Sequence, residues 1–118
     1  MDGLMHTDTN LVDRVRAALT HVHNVDERKM FGSTAFMVHG KMCISVRSER
    51  IMCRIDPAQH NAALEHRGCR TVIMKGRQYQ GYVRIDAEYV RTKKALGYWI
   101  NLALNYNMAI TSEDKGGP

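Results

Sequence analysis

The sequence predicts an α+β fold, a two-layer α/β sandwich in which a mainly antiparallel sheet of five or six strands carries helices on one face. Three observations lead to this prediction. Helical spacing of apolar residues occurs near both ends of the chain. Between them, short stretches alternate apolar and polar residues and are separated by tight-turn signals. No βαβ repeat recurs, so the expected element order is α-β-β-β-β-α-β-β-α.

Length and composition indicate one globular domain. The chain has 118 residues, of which 44% are apolar and 25% are charged. We expect a single domain over residues 1–110 and a flexible C-terminal tail over the polar, glycine-containing residues 111–118. No apolar run approaches the ~18 residues of a membrane span, so no membrane partner is expected. Three cysteines without an apolar leader segment indicate reduced thiols and a cytoplasmic location.

The first helix is predicted from apolar residues at positions 11, 15, 18 and 22, which form one stripe of an α-helix. Asn10 stands where an N-cap would accept an otherwise unpaired amide hydrogen. The helix is therefore expected to begin at Asn10.

A β-hairpin is predicted around Ser48–Glu49, because apolar residues alternate over 42–46 and again over 51–55. A two-residue turn there pairs Val46 with Ile51 and Ile44 with Cys53. All four side chains then lie on one face of the sheet, so the predicted register is self-consistent.

The preceding hairpin is less consistent. A two-residue turn at His39–Gly40 pairs Met37 with Met42. The same register sends Phe36 and Val38 to the opposite face from the rest of the core. Two alternatives remain open: either this turn is longer, or the outer face of the sheet is partly apolar.

The second half of the chain contains clearer boundaries. Asp56–Pro57 has the pattern of an N-cap followed by proline at the first helical position. Strands are expected over 71–74 and 79–86, joined by a turn at residues 75–77. Thr92 is expected to cap the strongest helix, in which Trp99 anchors the core.

Several segments resemble the N-terminal domain of the TfoX/Sxy family over about residues 25–105. They are Lys29–Gly32, Ala35–Met42, Lys75–Arg77, Gly81–Val83 and Gly97–Ile100. The resemblance implies a two-layer structure with an antiparallel sheet. It also implies an association with transcription regulation, since the longer family members are bacterial regulators of DNA-uptake competence with a further C-terminal helical domain. The family pattern contains no catalytic residues, so the resemblance implies no catalytic residue and no cofactor for this chain.

The sequence pattern favours neither a metal site nor a reactive thiol. His21 and His23 are two residues apart, and helical residues at that spacing point about 200° apart, so they are not expected to share a metal ion. Cys43 is expected on the outer sheet face, without an activating partner visible in the sequence.

The most informative surface is the outer face of the sheet, away from the predicted helices. Alternation places arginines there together with a methionine and an aromatic residue, and Phe36 joins them if the first hairpin has its tight turn. The candidate binding surface consists of Arg47, Arg54, Tyr82, Arg84, Met52 and Phe36. Arginine mixed with apolar side chains is typical of protein interfaces.

Three functional hypotheses follow. The first is a non-catalytic protein-interaction or regulatory module, whose partner is another protein or a second copy in a homodimer. The second is direct nucleic-acid binding through the basic face, because residues 67–94 contain eight Lys and Arg against Asp86 and Glu88. The third is a small enzyme of unknown reaction.

Overall fold

The computed structural model describes the backbone of residues 3–116 and the side chains of residues 11–111 apart from Met30. It contains a six-stranded sheet in the order β1-β2-β3-β4-β6-β5, and every pair of neighbouring strands is antiparallel. The predicted element order and fold class are confirmed. The elements are α1 (Gly3–Ala18), β1 (Val25–Met30), β2 (Ser33–Val38), β3 (Lys41–Arg47), β4 (Arg50–Arg54), α2 (His60–Leu64), β5 (Cys69–Met74), β6 (Arg77–Asp86) and α3 (Lys93–Gly116).

The core lies between the inner face of the sheet and the three helices. It contains strand residues such as Ile44, Ile51 and Ile85, none of which exposes any surface, together with Val15 of α1 and Trp99 of α3. The predicted Ser48–Glu49 register is confirmed, with Ile44 opposite Cys53 and Val46 opposite Ile51. Trp99 is 4% exposed and packs in the core as expected.

Two-residue turns join all four antiparallel hairpins. They are Phe31–Gly32, His39–Gly40, Ser48–Glu49 and Lys75–Gly76, and the first residue of each turn has a positive φ. In three of them a glycine follows, also at positive φ. Such turns match the right-handed twist of the flanking strands, which explains why X-Gly pairs recur between the strands of this sequence.

A β-bulge resolves the conflict in the β2–β3 hairpin. The turn has two residues and Met37 lies opposite Met42, as predicted, but Phe36 lies opposite Ile44. Cys43 is therefore the extra residue of a bulge, which shifts the register by one position. Neither of the two alternatives considered from the sequence is needed.

The bulge corrects the predicted position of two side chains. Phe36 is fully buried in the core and so cannot belong to the outer surface. Cys43, expected on the outer face, is 1% exposed and also packs in the core. The physical reason is that one inserted residue returns the preceding strand positions to the inner face.

The helix boundaries differ in part from the prediction. α1 begins at Gly3, so Asn10 lies within the helix rather than at its N-terminus. Asp56 caps the turn that leads into α2, since its side chain accepts a hydrogen bond from the Ala58 amide at 2.9 Å. Thr92 caps α3 as predicted, because the Ala95 amide donates to Thr92 Oγ1 at 3.0 Å.

α3 continues to Gly116, beyond the domain boundary expected at residue 110. Thr111 is buried, and its hydroxyl donates to the carbonyl of Asn107 at 2.7 Å. Asn107 in turn donates from Nδ2 to the carbonyl of Val38 at 3.0 Å. The helix thus extends into the segment expected as a tail. The flexibility of that segment stays a prediction, and residues 117–118 lie outside the described part of the chain.

Strand β6 bends at Gly81, which has a φ of +89°. Its amide donates to Nδ1 of the buried His60 at 2.9 Å. Nδ1 is an acceptor here, so the neutral ring carries its proton on Nε2, which lies 3.0 Å from Thr71 Oγ1. The β5–β6 register also shifts between Thr71 and Ile73. The distal part of this hairpin, in which Ile73 and Met74 pair with Gln78 and Arg77, is therefore out of register with the rest of the sheet.

Candidate binding surface on the outer sheet face

The outer face is defined by two rows of residues that lie opposite one another across the strands. Directly opposed residues share a face, so each row projects to the same side, away from the core. One row consists of Ser33, Arg47, Arg50 and Asp86. The other consists of Arg28, Ala35, Ser45, Met52, Arg84 and Arg70.

Most of the predicted surface residues lie where the alternation placed them. Arg47 is exposed, and Met52, Tyr82 and Arg84 are half-buried, in contrast to their fully buried neighbours on the strands. The exception is Phe36, which the bulge at Cys43 turns into the core.

Arg54 occupies a separate position at the end of β4. Its guanidinium carbon lies 5.7 Å from the ring centroid of Tyr82 and 5.8 Å from that of Tyr106 on α3. Both distances are within the range of a cation–π interaction. Arg54 therefore connects the edge of the outer face to α3.

A cavity of about 280 Å³ lies on the outer face, and we call it the arginine cavity. Its wall combines residues of the central strands with residues of β5 that flank the register shift. Ile73 and Met74 are 60% and 44% exposed. The lining residues are Ser33, Ser45, Arg47, Arg50, Met52, Val72, Ile73, Met74 and Arg84.

Sequence reasoning missed part of this cavity. Arg50 could have been found, because the Ser48–Glu49 turn places it opposite Arg47 on the outer face. Ile73 and Met74 could not, because their position depends on the irregular β5–β6 pairing.

Arginines oppose arginines on this face. Arg47 lies across from Arg50, and Arg84 lies across from Arg70. Like charges directly opposed on neighbouring strands are unfavourable. The arrangement therefore lowers stability unless another group neutralises it.

No carboxylate within the described part of the chain forms an ion pair with these four arginines. The described ion pairs join Arg16 to Asp13 and Glu27, and Arg28 to Asp26. Within the same residues, Nε of Arg84 is buried and has no hydrogen-bond partner. A buried donor without an acceptor is rare in folded proteins.

Two of the larger cavities flank α1. One of about 640 Å³ has a lining that includes Glu49, Asp86 and Arg91, so its charges are mixed in sign. The other, of about 650 Å³, lies between α1 and α3. Arg14 borders both, and its Nη2 donates to the carbonyl of Val90 at 2.8 Å. That guanidinium already joins α1 to the segment that precedes α3.

The cysteine thiols are buried in the core. Burial raises the pKa of Cys43 to about 12 and that of Cys69 to about 11. Burial also raises the pKa of Cys53. Since the thiolate is the reactive form, these groups are poor nucleophiles near neutral pH.

Over the residues with described side chains, no three His, Cys, Asp or Glu come together in a group that could hold a metal ion. None of the described helices combines the length and apolar character that crossing a bilayer requires.

The fold and this surface define a small α+β domain with helices on one side of its sheet and an arginine-rich face on the other. The chain belongs to the TfoX N-terminal domain family, whose match covers residues 17–106. The resemblance noted in the sequence is thus confirmed. Comparisons with curated proteins and with solved structures give no match.

Proposed function

We propose that this chain is a non-catalytic binding module that acts in regulation by engaging a partner protein through the outer face of its sheet. The observation that carries the proposal is the composition of that face. Arginines without carboxylate partners in the described chain lie beside Met52, Ile73 and Met74. Arginine and methionine are enriched in protein interfaces. Membership of the TfoX N-terminal domain family, which is associated with competence regulation, supports the regulatory role.

A protein partner accounts for this face better than nucleic acid does. Binding to single strands uses aromatic rings on which bases stack. Phe36 is buried and unavailable for stacking. Tyr82 already contacts Arg54 and lies 6.2 Å from the ring of Tyr79. We expect no gel shift with DNA or RNA at physiological salt, where non-specific phosphate contacts are weak.

The buried thiols favour a binding role over nucleophilic catalysis, because their raised pKa values keep them protonated near neutral pH. All three cysteines are free, which supports our placing the protein in the cytoplasm.

Site-specific photo-crosslinking tests the proposal. A photoreactive amino acid at Ile73 probes the outer face, and the same group at Met108 of α3 is the matched control, since these apolar residues are 60% and 59% exposed. In cells, we expect a discrete adduct from position 73 and none from position 108. An adduct of twice the chain mass identifies a second copy as the partner. Equal labelling from both positions, or no adduct from position 73, overturns the proposal.

A further inference from the structure

We propose that the arginine cavity is a binding site for the carboxylates of an acidic segment of a different protein, with an aliphatic side chain of that segment against Ile73 and Met74. This inference rests on the proposed function, because it specifies the chemistry of the partner at the same face.

The charge arrangement favours an anion, since among these arginines of the described sheet only Arg50 lies opposite a carboxylate, that of Asp86. Arg47 and Arg50 oppose each other in one row, and Arg84 and Arg70 oppose each other in the other row. Three of these four side chains line the cavity. A carboxylate between them replaces repulsion by charge-assisted hydrogen bonds, which are among the strongest that proteins make.

The hydrogen-bond donors of Arg84 specify where the anion sits. Its Nε is buried and without an acceptor in the described structure, although the side chain lines the cavity. A guanidinium presents Nε and a terminal nitrogen as a fork that matches the two oxygens of a carboxylate. Because Nε is closed to solvent, a carboxylate in the cavity pairs with this orphaned donor only after the Arg84 side chain turns toward it.

The shape and the apolar wall favour a peptide. A volume of about 280 Å³ suits side-chain-sized groups, and the aliphatic wall consists of Met52, Val72, Ile73 and Met74. No aromatic ring belongs to the described lining, so bases would find no stacking platform there. A segment that alternates acidic and aliphatic residues satisfies both parts of the cavity.

A second copy of the chain is a poor occupant. The chain carries a formal charge of +5. A two-fold dimer brings the same patch of both subunits together, so it would place these arginines against their own equivalents. The partner is therefore a different, acidic protein.

The test is a titration followed by NMR of the arginine Nε–H groups in the ¹⁵N-labelled chain. The probe is a synthetic peptide of alternating glutamate and leucine, and its glutamine–leucine counterpart is the neutral control. We expect saturable shifts of the Arg84 signal with the acidic peptide and none with the neutral one. Arg47→Gln should weaken binding by about fivefold or more.

Arg28→Gln is the matched control variant. Arg28 lies on the same face but is already paired with Asp26 at 3.3 Å and does not line the cavity. We expect its loss to change affinity by less than about twofold. Equal weakening by Arg28→Gln and Arg47→Gln shows a diffuse charge effect and overturns the site.

Three further outcomes overturn the inference. One is the absence of Arg84 shifts with the acidic peptide, and another is a stronger response to inorganic phosphate or to an oligothymidylate. The third is a crosslink from Ile73 that forms unchanged in the Arg47→Gln chain. That last result supports the outer face as an interface but contradicts an acidic partner. The proposed function would then stand, and only this inference would fail.

Discussion

At the scale of single residues, the β1–β2 turn stands out. Phe31 has a φ of +51° and is 89% exposed. A bulky residue in the left-handed region is strained, since its Cβ approaches the backbone too closely. The exposed ring contributes little burial in return, so the residue lowers the stability of the folded chain.

We predict that Phe31→Asn raises the free energy of unfolding by about 0.5–1 kcal/mol, because Asn-Gly suits a two-residue turn of this kind. Urea denaturation measures the change. His39→Asn is the control at the equivalent turn position. There the His39 ring contacts Asn24 at 3.2 Å, so a smaller gain is expected. A loss of stability in Phe31→Asn would contradict the strain argument.

At the scale of secondary-structure elements, His60 joins α2 to the bend in β6. The ring is 1% exposed, and its two nitrogens contact different groups. Nδ1 accepts a hydrogen bond from the Gly81 amide, and Nε2 lies within hydrogen-bond distance of the Thr71 hydroxyl. These contacts fix the point from which the distal β5–β6 hairpin departs to form one wall of the arginine cavity.

We predict that His60→Leu lowers the free energy of unfolding by about 1–3 kcal/mol, because it leaves the buried Gly81 amide without an acceptor. His60→Asn should recover part of that loss, since its side-chain oxygen can take the place of Nδ1. Chemical denaturation measures both variants. Equal losses in the two would indicate that packing, and not the hydrogen bond, is what His60 supplies.

The β2–β3 hairpin shows what an element-level prediction can miss. Alternation and turn chemistry correctly predict a two-residue turn at His39–Gly40. The bulge at Cys43 is invisible to them, because an inserted residue changes neither the turn nor the apolar content of the strands. It is stabilised by the burial of Phe36 and Val38, which is a property of the assembled sheet.

At the scale of the whole molecule, the thiols couple stability to alkaline pH. The pKa of Cys43 is raised from an ordinary value of 9.0 to about 12 by burial. Below pH 9.0 the thiol is protonated in both folded and unfolded chains, and this contribution to stability is fully present. As pH rises through about 12, the unfolded chain has released a proton that the folded chain retains, so the contribution is lost.

We therefore predict a fall in the free energy of unfolding of about 3–4 kcal/mol from Cys43 as pH rises from 9 to 12. Urea denaturation across this range measures it. Cys43→Ala should lower stability at pH 7 but show a shallower alkaline decline. An identical decline in both chains would mean that other groups, such as tyrosines and lysines, cause it.

Taken by itself, the sequence determined the element order, the capped turn that leads into α2, the capped start of α3, and the side of the sheet on which Arg47, Met52 and Arg84 lie. These depend on short-range chemistry: turn residues, capping side chains and the two-residue period of a strand.

Only the tertiary structure decided which surface residues share a site. The bulge at Cys43 removes Phe36 from the outer face, and the bend at Gly81 brings Ile73 and Met74 to Arg84. Both are register changes that depend on contacts between residues distant in sequence. No local pattern specifies them, because their energy comes from burial and from hydrogen bonds such as that of His60 with Gly81.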